Sequence, residues 1–198
     1  MKPFLELIAL AAVLCAQAPP LKPGLYAVFE TSAGSITARL YEKAVPIAVS
    51  TFVGLAQGTK AWKDPKTGAM VKRPLYENLI FHRVISGVMI QAGDPTGTGA
   101  HNCGITIPDE FLPGLRFDQA GKLAVANTGA PDSGSCQFFI TTDSMTQWTG
   151  KYTIFGDVVS GLNVADKISH GKVRGDKPVD PAKLISVTIE RIGPAPQK

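Results

Sequence analysis

Between Phe81 and Asp94 the chain reads Phe-His-Arg-Val-Ile-Ser-Gly-Val-Met-Ile-Gln-Ala-Gly-Asp. Arg83 and Gln91 stand out in it as long hydrogen-bonding side chains within an otherwise apolar strand pair. The β-branched and aromatic residues of Phe81 to Ile85 predict a strand, Ser86-Gly87 a tight turn, and Val88 to Gln91 the returning strand, which brings Arg83 close to Gln91. Alternation along the first strand puts Phe81, Arg83 and Ile85 on one face and His82 and Val84 on the other. A guanidinium buried in a core needs a charge partner, and the strand pair from Phe81 to Gln91 offers none, so the pattern predicts a polar cleft bordered by apolar side chains. An arginine in such a cleft stays charged and presents several N–H groups in a rigid fork. The chemistry it suits is hydrogen-bond donation to a bound group.

Other reactive residue types point to less. His82 falls on the face opposite Arg83 and reads as a core or supporting histidine. His101 and Cys103 are two candidate metal ligands with no second pair at zinc-type spacing, so neither a metal nor another cofactor is expected.

The elements that must hold Arg83 and Gln91 follow from pattern. Leu25 to Thr31 and Ser35 to Tyr41 alternate around Ala33-Gly34 and predict an antiparallel hairpin. Pro46 opens a helix with Val49, Phe52, Val53 and Ala56 on one face, and Gly58 terminates it. Residues 59–75 read as a long loop carrying Lys60, Lys63, Lys66, Lys72 and Arg73 against Asp64, a solvated basic surface. A nucleic-acid patch would want interleaved aromatics, and only Trp62 is present, so nucleic acid is not expected as a partner. Leu123 to Ala126, Gln137 to Thr141 and Thr153 to Phe155 predict short strands, residues 161–168 a second helix, and Leu184 to Ile192 a closing strand.

A chain of 198 residues with 44% hydrophobic content, 20 glycines and 15 prolines has the size of one domain with a substantial core. Glycine and proline are spread through it, and the short apolar runs between turns point to an antiparallel sheet closed or packed on itself. Residues 1–18 read as a secretory signal peptide: Lys2, an apolar run from Leu5 to Leu14, then small residues before Pro19-Pro20. Cleavage after Ala16 or Ala18 both fit; Cys15 raises lipidation, against which Leu14 is bulky. The apolar run is shorter than a membrane span needs, so no stable membrane insertion is expected after cleavage. Residues 19–24 form a linker, 25–192 the domain and 193–198 a flexible tail. The exported protein would be periplasmic or extracellular; without a working signal it would be cytoplasmic.

The 81–94 run, continued by Gly97-Thr98-Gly99, Ala126-Asn127, Ser135-Cys136-Gln137-Phe138-Phe139-Ile140 and Thr153-Ile154-Phe155-Gly156, resembles the cyclophilin family of peptidyl-prolyl cis-trans isomerases, its bacterial single-domain members above all. The resemblance covers roughly Leu25 to Ile192. It implies a mainly β fold, an eight-stranded antiparallel closed β-barrel capped by two α-helices, working as a monomer on proline-containing unfolded or partly folded polypeptides. It implies Arg83 as the catalytic donor and Gln91 as the residue that orients it. Met89 and Phe139 would form the floor and wall of a proline pocket, with Phe155 completing its apolar base. Ala126 and Asn127 would pair with the peptide backbone, and Phe81, Val88, Gln137, Trp148 and Tyr152 complete the substrate-binding set.

The chain departs from that pattern at telling positions. Val88 stands where the family has a pocket phenylalanine, Gln147 where many members have tryptophan, Trp148 where they have leucine, and Tyr152 where histidine is frequent. Trp148 would refill the space that Val88 leaves. Cys103 and Cys136 lie on loops that approach each other in the family; a disulfide between them is chemically allowed in an exported protein, and two free thiols is the reading favoured here. Isomerisation of exported clients is the leading function. A non-catalytic proline-peptide-binding module or holdase is the alternative, and retention of Arg83, Gln91 and Phe139 argues against it.

Overall fold

The structure, a computed structural model, describes residues 21–195; the expected signal peptide with Cys15, residues 19–20 and the last three residues lie outside the described residues. Strands β1 (Gly24–Thr31) and β2 (Gly34–Leu40) form the predicted hairpin, and α1 (Pro46–Gln57) starts on its proline. The helix has no side-chain cap of its own; the Glu110 carboxylate, far along the chain, accepts from the N–H groups of Ile47 and Ala48 and satisfies its first turn. It ends at Gly58, whose φ of 74° is the left-handed conformation that suits glycine.

The predicted long loop contains a small hairpin, β3 (Trp62–Lys63) and β4 (Met70–Val71), whose strands are too short to show a period. One of its basic residues is tied down: Trp62 is buried, its indole N–H donates to the Arg73 carbonyl, and the Arg73 guanidinium lies over the Trp62 ring and pairs with Asp64 at 2.9 Å, while the lysines stay exposed.

Next come β5 (Leu79–Ile80), β6 (Arg83–Ile85), β7 (Met89–Ala92), β8 (Lys122–Val125), β9 (Phe138–Thr141), β10 (Ile154–Ser160), α2 (Leu162–Ser169), the hairpin β11 (Val173–Arg174) with β12 (Lys177–Pro178), and β13 (Lys183–Ile192). One antiparallel sheet runs β5-β13-β1-β2-β10-β8-β9-β7-β6. Its two ends, β5 and β6, are separated in the chain only by Phe81 and His82, so the sheet curls until a single bent segment joins its edges. The expected mainly β barrel with two helices is present; it counts nine strands where eight were expected because that segment breaks in two, and its edges meet through the chain rather than through a ladder.

Alternation sorts the sheet's side chains into two clusters. Inside the curl, Phe52 of α1 sits among Phe29, Tyr76, Phe138 and Phe155, with ring centroids 5.0–5.9 Å apart, and Ile90, Leu123, Val125 and Ile140 join this main core. The other face gathers Met89, Ala124, Phe139 and Ile154 under Phe117.

A buried carboxylate organises the loop after β7. Asp94 accepts from the Thr96 N–H and hydroxyl at 2.6 and 2.7 Å, from the Gly99 N–H at 2.6 Å and from the His101 N–H at 3.3 Å. Burial alone would raise its pKa, but these donors outweigh it and hold the carboxyl below the usual carboxylate range. Beside it His82 is buried, and neither ring nitrogen has a hydrogen-bond partner in the protein. Desolvation pushes the His82 pKa down, with the Asp94 charge opposing only in part.

Cys103 and Cys136 form a disulfide that closes 33 residues of chain, which corrects the favoured reading of two free thiols. Spacing in sequence does not reveal that the loop held by Asp94 folds back onto the segment before β9.

Two consequences for stability are measurable. A Cys103→Ala/Cys136→Ala variant is expected to lose about 2–4 kcal/mol of unfolding free energy, from the entropy of the released loop; urea titration without reductant reads this, and reductant should bring the parent protein towards the variant. His82 has a folded pKa below its unfolded one, so its contribution is whole above the unfolded pKa and is lost as pH falls from there to the folded pKa. Unfolding free energy should therefore drop as pH falls below about 6.5, and His82→Gln should flatten that part of the profile.

Candidate active site

Strand register sets Arg83 opposite Gln91, Gln91 opposite Phe139, Phe139 opposite Ala124 and Ala124 opposite Ile154. Directly opposed residues share a face, so these five form one row across β6, β7, β9, β8 and β10 that grades from charged through polar to apolar. The row lies on the outer face of the curled sheet. Met89, two residues before Gln91, shares that face.

At the charged end the Arg83 guanidinium is held from two sides. Its Nη1 donates to Gln91 Oε1 at 3.2 Å, while Nε and Nη2 lie 3.1 and 3.0 Å from Asp176 Oδ2. Gln91 is itself fixed, donating through Nε2 to Gln137 Oε1 at 2.9 Å, and Gln137 Nε2 donates to the carbonyls of Gly99 and His101 at 3.0 and 3.1 Å. Those carbonyls belong to the loop that Asp94 organises and the disulfide ties down. A chain of hydrogen bonds thus runs from a loop anchored by the buried Asp94 and the disulfide to a half-exposed cation.

At the apolar end, aromatic rings build the wall. Phe139 stacks on Phe117 at 5.9 Å and meets Trp148 and Tyr152 edge-on at 5.6 and 5.1 Å; Trp148 and Tyr152 are 5.7 Å apart. Between the two ends lies a cleft of about 260 Å³ lined by Arg83, Met89, Gln91, Ala126, Asn127, Phe139, Trp148 and Tyr152. The Asn127 side chain is occupied, donating to the Lys151 carbonyl and accepting from the Gly129 N–H. Its main-chain N–H and C=O have no partner among the described residues.

Most of the residues expected at the site converge here; four do not. Phe81 is fully buried in the main core with Val84. The chain bends at Phe81-His82, so the alternation expected from Phe81 through Ile85 is broken. Val88 packs at the edge of the outer cluster without lining the cleft, and Gln137 lies behind it as the support of Gln91. Phe155 also belongs to the main core, its neighbour Ile154 facing the outer cluster instead. Sequence reasoning missed Phe117, which sits in an irregular segment without periodicity, and Asp176, which stands 93 residues from Arg83.

A larger depression of about 530 Å³ beside Leu25, Tyr41 and Arg191 lies elsewhere, and there Glu42 and Arg191 neutralise each other in a two-pronged ion pair. Among the described residues no cluster of three or more His, Cys, Asp or Glu could hold a metal ion, and no helix is long and apolar enough to cross a membrane.

Comparison with known proteins agrees with this geometry. Residues 26–189 match the family model for cyclophilin type peptidyl-prolyl cis-trans isomerase/CLD. The chain is 43% identical to peptidyl-prolyl cis-trans isomerase B of Streptomyces anulatus, over 84% of this chain and 97% of that protein. It is 42% identical to peptidyl-prolyl cis-trans isomerase A of Mycobacterium tuberculosis, over 82% and 91%. Among solved structures, a Cryptosporidium parvum cyclophilin type isomerase crystallised in the presence of the dipeptide Ala-Pro superposes with a TM-score of 0.72 at 30% identity, over 84% of this chain and 99% of that one. With the family model spanning nearly the whole described domain, the chain belongs to the cyclophilin-type peptidyl-prolyl cis-trans isomerases.

Proposed function

We infer that the cleft binds an Xaa-Pro segment and lowers the barrier to rotation about its peptide bond, with Arg83 as the catalytic donor. The observation that carries this is the row from Arg83 through Gln91 to Phe139, which sets a fixed cation two strands away from an aromatic floor. Rotation faces a barrier of ~18–20 kcal/mol because the nitrogen lone pair is delocalised into the carbonyl. No nucleophile is needed. A donor aimed at the prolyl nitrogen favours the pyramidal, single-bond-like transition state, and it is most effective in a site that excludes water.

The division of labour follows the lining. Phe139 and Met89 receive the proline ring, with Trp148 and Tyr152 as its wall; Asn127 pairs through its free main-chain groups with the bound peptide. Gln91 keeps the guanidinium from rotating out of the cleft. Trp148, packed edge-on against Phe139, supplies aromatic surface that Val88 does not. That the related structure was determined in the presence of the dipeptide Ala-Pro supports a proline-containing ligand.

The compartment reading rests on two features. The leader-like residues 1–18 and the Cys103–Cys136 disulfide both suit an exported protein, since structural disulfides persist in oxidising compartments. Its clients would then be exported chains whose Xaa-Pro bonds isomerise slowly, in tens to hundreds of seconds when uncatalysed.

A prolyl isomerisation assay on a short Xaa-Pro peptide tests the assignment. Arg83→Ala, at unchanged melting temperature, should lower kcat/KM at least tenfold, a loss of about 1.4 kcal/mol. Equal activity of the two proteins would remove Arg83 from the chemistry, and peptide binding without turnover in either would favour a binding module. Trp148→Ala should cost kcat/KM about tenfold, chiefly through KM, because burying an aromatic wall against the ring contributes about 1–3 kcal/mol; full activity would exclude Trp148 from the pocket.

A further inference from the structure

The charge partner of Arg83 comes from the β11–β12 hairpin. Arg174 pairs with Lys177 across it, so Gly175 and Asp176 form its two-residue turn, with Gly175 at φ 61° as such a tight turn requires. The Asp176 main-chain carbonyl accepts from the Val84 N–H at 2.8 Å, and its carboxylate meets Arg83 in the adjacent position. One residue therefore grips β6 through both backbone and side chain. Because the backbone contact sets where the carboxylate stands, the ion pair has little freedom to drift.

The geometry of the fork matters. A guanidinium has five N–H donors. Nε and one N–H of Nη2 face Asp176 and one N–H of Nη1 goes to Gln91, which leaves two, one on each terminal nitrogen. Asp176 and Gln91 bracket the plane from two sides, so the remaining donors have a set direction. The pair itself is exposed, 46% for the Arg83 side chain and 50% for Asp176, and exposed pairs contribute little to stability. A contact so weak as a stabiliser and so specific in geometry acts on orientation.

We propose that Asp176 is a positioning residue for Arg83: it immobilises the guanidinium edge away from the ligand so that the two remaining N–H groups address the prolyl nitrogen. This rests on the isomerase reading above. The hairpin acts as a clamp brought from a distant part of the chain, and its grip also places a negative charge beside the cation, which reduces the penalty of covering Arg83 with a proline ring.

The test combines kinetics with a spectroscopic readout in the mature protein. Asp176→Ala is expected to lower kcat at least fivefold on an Xaa-Pro peptide, with KM changed less than twofold and the melting temperature within about a degree. Asp176→Asn, which keeps one acceptor oxygen, should recover part of the lost kcat. In parallel, the Arg83 Nε–H resonance, assigned by its loss in Arg83→Lys, should exchange with solvent at least tenfold faster in Asp176→Ala. Unchanged kcat in Asp176→Ala, or an unchanged Nε–H exchange rate, overturns the proposal; so does a fall in kcat matched by an equal fall in melting temperature. Wild-type protein with no turnover contradicts the isomerase reading instead, and the exchange experiment still decides whether Asp176 holds the guanidinium.

Discussion

Strand register is the constraint on which everything else in this molecule depends. Because Gln91 lies opposite both Arg83 and Phe139, a single β7 residue couples the cationic end of the cleft to its aromatic floor. A slip of one residue would turn Gln91 into the main core and bring Ile90 to the cleft. The apolar residues on the inner face resist that slip: Ile90, Phe138, Leu123 and Phe155 are buried in the main core with Phe52, and a slip would turn Ile90 out of it. The core thus holds the site by holding the register.

Rigidity reaches Arg83 along two routes. One comes through the interior, from the disulfide and Asp94 to the 99–101 carbonyls, then Gln137 and Gln91. The other comes over the surface, through the β11–β12 turn. An arginine side chain carries about 2 kcal/mol of rotamer entropy, enough to blur its direction if only one contact held it. A catalyst that works by pointing donors at a changing nitrogen geometry has more use for such bracing than for a reactive group.

Much of this was legible in the residues, and the limits have physical causes. Pro46 and Gly58 bound α1 because each acts through its own backbone, and the Ala33-Gly34 hairpin follows from local alternation. The 81–94 run announced a guanidinium that an apolar core would not accept. The alternation argument failed at Phe81, since it assumes an unbroken strand and the chain bends there. It failed at Phe155 for a different reason: alternation separates Ile154 from Phe155 without saying which one faces the cleft. Phe117 and the Cys103–Cys136 bond depend on how irregular segments fold back, and Asp176 on a hairpin with strands of two residues. Such contacts exist only once the sheet has curled.

The most direct measurement is a crystal structure of the protein with a short Ala-Pro-containing peptide bound. Expected is a proline ring seated on Phe139 between Met89 and Trp148, the Asn127 main chain paired with the peptide, and the prolyl nitrogen within hydrogen-bonding reach of Arg83. A peptide bound elsewhere, or one whose prolyl nitrogen faces away from Arg83, would contradict the assignment of this cleft as the site of rotation.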